Sequence, residues 1–491
     1  RTWRVIRQTL VQAAAGAAAS LVLGLPGACL LYCRRFPGRR LLRAVVAVPF
    51  VLPSVVVGVA FRSLLAPGGL LGGLKLDGSF AALVAALVFF NYSVVVRTVG
   101  VFWAGLDPRA AQAARSLGAS RWRVWRTVTL PALAPAIASA GALAFLFCAS
   151  AFGVVLILGG TRYGTVETEI WYQTTQLLNL PAAAALSIVQ LLVTAAALAA
   201  ANAARSRQER ALRLSPGAGR PLQRADWPAV AVVAIVVVGL VCLPLASLVV
   251  RSFATPAGWS LSSYAALAGT GHGATAAPIW QAGVNSLATA AAAAALALTL
   301  GCLAAYVLSR RPRGRSGRRL LRWADAAFMV PLGVSAATVG FGFLITVNRP
   351  PFDLRASWVL IPVAQALVAL PLVVRTLLPT WRAIDPRLRE AAASLGSGPA
   401  RLLVSVDVPL IRRGLGLAFG FAFAASLGEF GATSFLARPD RPTLPVVVYR
   451  LISRPGADTF GAALAAAVIL AVVRGAFLAA AELLAPEEAG W

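Results

Sequence analysis

Apolar stretches of membrane-spanning length dominate this chain of 491 residues and restrict its fold more than any other feature. The mean hydropathy of +0.78 lies well outside the range of a soluble domain. A bilayer core offers backbone groups no external hydrogen-bond partner, so such stretches cross it as helices. The sequence therefore predicts an all-α membrane protein with about eleven transmembrane helices. The predicted spans lie near 9–32, 44–65, 80–103, 131–158, 181–204, 227–250, 283–308, 324–347, 357–380, 415–436 and 460–484.

A twelve-residue motif occurs twice. Asp107–Gly118 reads DPRAAQAARSLG and Asp385–Gly396 reads DPRLREAAASLG, with eight of twelve positions identical and no gap. The same shift of 278 residues aligns Pro53 with Pro331, far outside the motif. A repeat this long indicates two copies of a whole domain. We predict a first repeat at 1–204, a basic linker at 205–226 and a second repeat at 227–491.

Arginine clusters occupy alternate loops, and the positive-inside rule assigns those loops to the cytoplasm. Both copies of the motif fall on this side, with six predicted spans between them. An even number of spans makes the halves parallel repeats rather than inverted ones. The first half has five predicted spans and the second has six. We therefore expect one more helix upstream of Arg1, and twelve spans in the full-length protein.

Each copy of the motif predicts a short surface helix. Asp107 and Asp385 precede a proline, which is typical of a helix start, and Gly118 and Gly396 supply left-handed stops. One interpretation is a capped helix that only joins two spans. The other is a docking site, because each helix carries small residues and two equivalent sites suit a two-fold partner. The small residues are Ala113, Ala114, Ala391 and Ala392.

The motif resembles the EAA loop of ABC importer permeases, which has Glu-Ala-Ala, then a glycine, then Leu-Pro. The second copy has Glu390-Ala391-Ala392, Gly396 and Val408-Pro409. The first copy has Gln112-Ala113-Ala114, Gly118 and Leu130-Pro131, so Gln112 replaces the family's glutamate. The resemblance implies the type I importer permease fold, with these helices docked in clefts of two ATPase subunits. The coupling residues it implies are Asp107, Gln112, Ala113, Ala114, Gly118, Pro131, Asp385, Glu390, Ala391, Ala392, Gly396 and Pro409.

The resemblance also implies the location and the partners. It places the chain in the bacterial cytoplasmic membrane, with two copies of a cytoplasmic ATPase and an extracytoplasmic substrate-binding protein. ATP and Mg²⁺ are expected on the ATPase and no cofactor on this chain. Lys75 is the only lysine and opens no P-loop, so we predict a transporter subunit and not an enzyme.

Other functional classes fit the composition poorly. The net charge of +28 could suggest nucleic acid, but the arginines lie in clusters between apolar spans, which suits membrane topology. The single histidine, His272, lies in a small-residue loop. We therefore predict neither a metal site nor a catalytic residue. The cysteines, which lie in or beside apolar spans, are Cys29, Cys33, Cys148, Cys242 and Cys302.

A candidate pathway or gate lies at the far end of one span in each half. Glu429 is a carboxylate in an apolar span, and such groups are costly enough to suggest a function. The repeat aligns Phe152-Gly153 with Phe430-Gly431, which suggests an aromatic plug beside a flexible glycine. Ordinary helix packing around a bent segment explains the same residues. If Glu429 faces the pathway, it favours a cationic substrate.

Fusion of both halves in one chain resembles the ferric-iron and thiamine permeases. RRFPGR at Arg34–Arg39 and RPTLPVVVY at Arg441–Tyr449 look most like the thiamine permeases, whereas GEFGAT at Gly428–Thr433 also resembles molybdate and sulfate permeases. We favour thiamine or Fe(III) over an oxyanion. An ion-coupled secondary transporter is the remaining alternative, although it would not need paired cytoplasmic docking helices.

Overall fold

The computed structural model describes residues 2–483 except 161, 212–219, 256–257, 271–272, 274, 277, 311–313, 348–353 and 355–356. The chain divides into two compact units, Arg1–Ala254 and Thr255–Trp491. In the described part, eight helices are long and apolar enough to cross a membrane, and one bent pair brings the number to nine. The prediction of an all-α membrane protein is confirmed. His272 lies outside the described residues.

The described part of the first unit is mainly helical and contains one pair of two-residue strands, β1 (Arg34–Arg35) and β2 (Arg220–Pro221), which lie parallel. Short 3₁₀ turns occur at Gly72–Leu74 and Arg224–Asp226. In chain order the helices are α1 (Thr2–Cys33), α2 (Arg39–Val51), α3 (Ser54–Leu65), α4 (Phe80–Ala104), α5 (Arg109–Ser116), α6 (Arg121–Val124), α7 (Leu130–Ala149), α8 (Gly153–Leu158), α9 (Val166–Thr175), α10 (Leu180–Ala211), α11 (Trp227–Ile235) and α12 (Leu243–Phe253).

Helices α1, α4 and α7 form the core of the first unit, and small residues bring them close together. A Cβ at Gly24 of α1 would lie only 2.6 Å from a methyl of Val95 on α4, so glycine is required there. On α7, alanines at 136, 140 and 144 recur every four residues and are fully buried in this cluster. Membrane helices associate through such small-residue surfaces, because lipid provides little hydrophobic force between them.

The helix pair α2 and α3 bends by 105° between Val51 and Ser54. Leu52 is extended, with φ −74° and ψ 144°, because the ring of Pro53 excludes helical geometry from the residue before it. The predicted span at 44–65 is therefore broken at Pro53.

Three π-helical segments each end two residues before a proline: Trp125–Thr129, Val236–Cys242 and Leu403–Asp407. Proline lacks an N–H, and its ring displaces the carbonyl four residues earlier, so the preceding turn widens. In the first and third segments a hydroxyl satisfies a nearby carbonyl. Thr127 donates to the carbonyl of Arg123 at 2.7 Å, and Ser405 donates to that of Arg401 at 2.6 Å.

Helices α11 and α12 belong to the predicted second repeat but pack within the first unit. Val233 of α11 is buried against Tyr92 and Leu31 in a shared apolar cluster. On α12, the Ser247 hydroxyl lies 3.0 Å from the hydroxyl of Ser63 on α3. The compact unit therefore ends at Ala254, whereas the predicted repeat boundary at 227 concerns sequence equivalence and stays a prediction.

Strand β3 (Ala254–Thr255) spans the boundary between the units, strand β4 (Gly258–Trp259) follows it, and the regular structure among the other described residues of the second unit is helical. A 3₁₀ turn at Ala266–Ala268 precedes its first long helix. The helices are α13 (Ser262–Ala265), α14 (Ile279–Ser309), α15 (Arg315–Gly333), α16 (Ala336–Thr346), α17 (Leu360–Ala383), α18 (Pro386–Ser394), α19 (Pro399–Leu402), α20 (Val408–Leu427), α21 (Thr433–Leu436), α22 (Leu444–Ile452) and α23 (Ala457–Leu483).

The second unit repeats the helix order of α1 to α10. Helix α14 packs against α17 through Gly301, where a Cβ would lie 2.5 Å from a methyl of Val373. The predicted spans at 131–158 and 415–436 are each interrupted. In the first unit α7 ends at Ala149 and α8 begins at Gly153, and in the second α20 ends at Leu427. These two breaks lie at equivalent places in the repeat.

Candidate coupling helices and interrupted spans

Helix α5 has the two terminal features that the first motif predicts. The Asp107 carboxylate accepts a hydrogen bond from the backbone N–H of Arg109 at 2.9 Å. Gly118 has φ +83°, a left-handed conformation that disfavours side chains. The N–H of Gly118 then bonds the carbonyl of Arg115 at 2.9 Å, and that of Ala119 bonds Ala114 at 3.1 Å. The aspartate hydrogen bond and the left-handed glycine stop are as predicted, but the helix begins at Arg109, one residue after the proline that was predicted to open it.

Helix α18 has the same ends. Asp385 accepts a hydrogen bond from the N–H of Arg387 at 3.0 Å, with Pro386 at the first helical position. Gly396 has φ +79°, and the N–H of Ser397 bonds the carbonyl of Ala392 at 3.0 Å. Two short helices with equivalent ends therefore follow α4 and α17.

Each helix presents an exposed surface that includes its motif residues. Gln112 and Ala113 are exposed on α5, as are Glu390 and Ala391 on α18, while the second alanine of each pair is half-buried. A leucine follows each helix and is almost fully exposed: Leu117 at 88% and Leu395 at 87%. The repeat aligns these two leucines. Neither leucine was among the residues predicted from the motif, although an apolar residue in a charged loop is itself a signal.

A buried ion pair fixes α18 to the helix that follows it. Nε of Arg389 lies 2.7 Å from Oδ1 of Asp407, and the Asp407 side chain is fully buried. Asp407 is the last residue of a π-helical segment, directly before α20. The sequence analysis missed this pair, because the two residues are 18 positions apart and only the fold brings them together.

The first half has an aromatic pair in the segment that follows α5. The rings of Trp122 and Trp125 stack with centroids 5.0 Å apart and an angle of 16° between their planes. Trp122 is 66% exposed. The residues that the repeat aligns with Arg389 and Asp407 are Ala111 and Thr129. The aligned positions of the first half therefore carry no ion pair, and the two tryptophans align instead with Ala400 and Leu403.

Pro131 and Pro409 stand at the starts of α7 and α20, where a missing N–H is tolerated. Each follows a π-helical segment that connects the spanning helix to the short α5 or α18. Their predicted coupling role stays a prediction.

The interruption in the first unit is held by polar side chains from neighbouring helices. Nε2 of Gln190, a fully buried residue on α10, donates to the carbonyl of Ala149 at 3.2 Å. Nδ2 of Asn91 on α4 lies 3.3 Å from the sulfur of Cys148. Phe152 and Gly153 are buried just beyond the break.

The interruption in the second unit is held by Glu429. One carboxylate oxygen accepts from the N–H of Ala432 at 2.7 Å, and the other accepts from the N–H and hydroxyl of Thr433 at 3.0 and 2.6 Å. Glu429 is 8% exposed. The carboxylate thus caps the turn before α21, which agrees with the alternative of packing around a bent segment. A role in the pathway stays a prediction.

Phe430 and Gly431 are buried in the same turn. The Phe430 ring lies 5.5 Å from the ring of Tyr449 on α22. A Cβ at Gly431 would lie 2.8 Å from the Cβ of Ala336, so the turn approaches α16 closely. A residue larger than glycine would force these segments apart.

The described residues contain no group of three or more His, Cys, Asp or Glu side chains that could hold a metal ion. The cysteines found as free thiols are Cys29, Cys33, Cys148, Cys242 and Cys302.

Comparison with known proteins agrees with this arrangement of spanning helices. Residues 8–210 match the family described as binding-protein-dependent transport system inner membrane component. The chain is similar to the thiamine transport system permease protein ThiP of Brucella abortus (strain 2308), with 28% identity over 488 residues, covering 96% of this chain and 86% of the relative. It is also similar to ThiP of Escherichia coli (strain K12), with 27% identity over 473 residues, covering 93% of this chain and 85% of the relative.

A further match concerns part of the chain. The sulfate transport system permease protein CysT of Escherichia coli (strain K12) is 34% identical over 207 residues, covering 40% of this chain and 75% of that protein. Together these findings define a multi-pass permease of an ABC importer in the bacterial inner membrane. The chain belongs to the binding-protein-dependent transport system inner membrane component family.

Proposed function

We propose that this permease conducts thiamine and that α5 and α18 couple its movement to ATP hydrolysis by two copies of a separate ATPase. The similarity over nearly the full chain to relatives named as thiamine permeases carries the substrate assignment. In this proposal ATP and Mg²⁺ are bound by the ATPase, and an extracytoplasmic binding protein delivers the substrate.

The exposed surfaces of the two short helices support the coupling role. A single exposed leucine on a protein surface is common and needs no explanation. Leu117 and Leu395, however, occupy aligned positions at the ends of two similar helices, which suggests a shared contact. Full burial of a leucine side chain contributes about 1.5–3 kcal/mol, enough to matter in docking. We assign these helices and the arginine-rich loops to the cytoplasmic side.

The support for thiamine does not come from Glu429. Both of its carboxylate oxygens already accept hydrogen bonds from the turn it caps. Its negative charge therefore gives little reason to prefer a cationic substrate. Fe(III) stays an alternative on the sequence resemblance alone.

Stimulated ATP hydrolysis provides the test of the substrate. The permease, its ATPase and its binding protein would be reconstituted in proteoliposomes, and ATP hydrolysis measured with the binding protein preloaded with thiamine, Fe(III) or sulfate. We expect thiamine alone to stimulate hydrolysis and to accumulate in the vesicles. Stimulation by Fe(III) or sulfate without thiamine would refute the assignment.

A sulfate-type oxyanion is the second candidate, because a sulfate permease is 34% identical over its matched region. The same reconstitution separates the two candidates, since one substrate is a cation and the other an anion. Transport without ATPase subunits would instead indicate an ion-coupled secondary transporter.

A further inference from the structure

A cavity of about 430 Å³ opens beyond the C-terminal end of α1. It is lined by Arg35, Phe36, Gly38, Arg39 and Arg40. Pockets for small ligands have volumes of about 300–1,000 Å³, so this one is large enough for a polar headgroup. None of the coupling or pathway residues lines it.

The backbone around the cavity is held in place by the fold. Arg35 belongs to β1, which pairs with β2 at the end of the linker. Gly38 has φ +80° and turns the chain into α2, so the exposed N–H groups of that 13-residue helix begin beside the arginines. Nη1 of Arg39 also donates to the carbonyl of Arg34 at 2.8 Å.

The carboxylate of Asp226, which lies near this cavity in the fold, is already bonded to other groups. Oδ1 of Asp226 lies 2.8 Å from Nη2 of Arg34, and its other oxygen accepts from the N–H of Gln223 at 2.9 Å. Within the described residues, the ion pairs of this unit include no carboxylate bound to Arg35, Arg39 or Arg40. Among the described residues, the lining contains three arginines and no carboxylate. An anion bound there would offset their like charges.

An apolar strip adjoins the cavity. On α2, Leu41 is 71% exposed, and Val48, seven residues later on the same face, is also exposed. The strip follows directly after Arg40 and belongs to a helix pair of membrane-spanning character. A basic pocket with an apolar flank at the end of a membrane helix suits a phospholipid, whose phosphate and acyl chains need both.

We propose that this cavity binds the anionic headgroup of a phospholipid. The guanidinium groups of Arg35, Arg39 and Arg40 and the N–H groups at the start of α2 hold its phosphate, and its acyl chains lie along Leu41 and Val48. A free phosphate ion could make the headgroup's contacts with the arginines, but it could not make the acyl chains' contacts with Leu41 and Val48.

Lipid retention measured by native mass spectrometry tests the proposal. The permease assembled with its ATPase would be released from micelles containing equal amounts of phosphatidylglycerol and phosphatidylcholine. We expect selective retention of phosphatidylglycerol, and roughly tenfold weaker retention by the Arg35→Ala/Arg40→Ala double variant. Equal retention of the two lipids, or an unchanged double variant, would overturn it.

Two further variants guard against misfolding and general charge effects. Arg35→Lys/Arg40→Lys keeps the charges and should retain the lipid, whereas the uncharged double variant should not. Arg319→Ala removes an exposed arginine of α15 outside the cavity and should behave as wild type. Inorganic phosphate at millimolar concentration should not displace the lipid. Full displacement by phosphate, or equal loss with Arg319→Ala, would refute a specific lipid site.

Discussion

Helices α5 and α18 have the same ends but are attached differently to their own halves. Both have an aspartate cap, a left-handed glycine and an exposed leucine. Only α18 is fixed to the following helix by a buried ion pair, while the first half has an exposed, stacked tryptophan nearby. The common features point to a common docking role. If both helices couple to an ATPase as proposed, the ion pair would link the second helix more firmly to its own half than the first.

The largest expected effect comes from breaking the ion pair. Arg389→Ala leaves the carboxylate of Asp407 buried without its cation, which costs about 3 kcal/mol or more. We expect a melting temperature lower by several degrees and loss of most substrate-stimulated ATP hydrolysis. Thermal unfolding of the purified chain and ATPase assays of the complex measure the two effects.

Two matched variants test whether the unpaired charge of Asp407 causes the loss of stability in Arg389→Ala. Arg387→Ala removes an exposed arginine of the same helix and should have little effect. Arg389→Leu combined with Asp407→Leu removes both charges and should recover most of the stability, because buried ion pairs are often replaceable by apolar residues. A double variant as unstable as Arg389→Ala would show that the pair's charges are not the cause.

The second-largest effect is expected from changes to the two exposed leucines. Leu117→Asp and Leu395→Asp each remove an apolar docking contact, and burial of a leucine contributes about 1.5–3 kcal/mol. We expect about tenfold or greater weakening of ATPase binding for each, without a change in the melting temperature of the isolated chain. Leu70→Asp, at another exposed leucine, is the control. Normal ATPase binding by both docking variants would remove these leucines from the interface.

A smaller difference in stimulated ATP hydrolysis is expected between changes at the aligned motif positions Gln112 and Glu390. Glu390→Ala removes a charge that Gln112 does not have, so it should uncouple more strongly than Gln112→Ala. Exposed ion pairs contribute about 0.2–1 kcal/mol, which corresponds to at most about a fivefold loss of stimulated hydrolysis. The effect of Glu390→Ala should shrink at high salt. Equal losses for the two variants would remove the proposed asymmetry.

The caps should give the smallest effects, and equal ones. Asp107→Ala and Asp385→Ala each remove one side-chain cap, which costs about 0.5–2 kcal/mol of local helix stability. Amide hydrogen exchange in α5 and α18 measures this directly. Because the two caps have nearly the same geometry, a large difference between them would show that the attachment of the helix, and not its cap, controls local stability.

Residues that act within one helix were predictable, and those that act across helices were not. Asp385 and Gly396 follow from local backbone geometry, which sequence encodes directly. The repeat singled out Phe152 and Phe430, but 131–158 and 415–436 were each predicted as one span and the structure interrupts both. The repeat could not show that Glu429 caps the break in one half while Gln190, on another helix, holds it in the other.

Packing between distant parts of the chain was also hidden from the sequence. The Arg389–Asp407 pair needs the turn between α18 and α20, and the placement of α11 and α12 needs the surface of α3. The count of spans placed both helices in the second repeat, which stays a prediction about sequence equivalence, and it carried no information on their contacts within the first unit.

The widened turns before α7 and α20 set the angular phase of the helices that follow. Each residue of a helix advances the facing direction by about 100° and the position by about 1.5 Å. Deleting or inserting one residue within Trp125–Thr129 would therefore rotate the alanine face of α7 by roughly a quarter turn, away from α1 and α4. The number of residues in this segment therefore determines which face of α7 packs against α1 and α4.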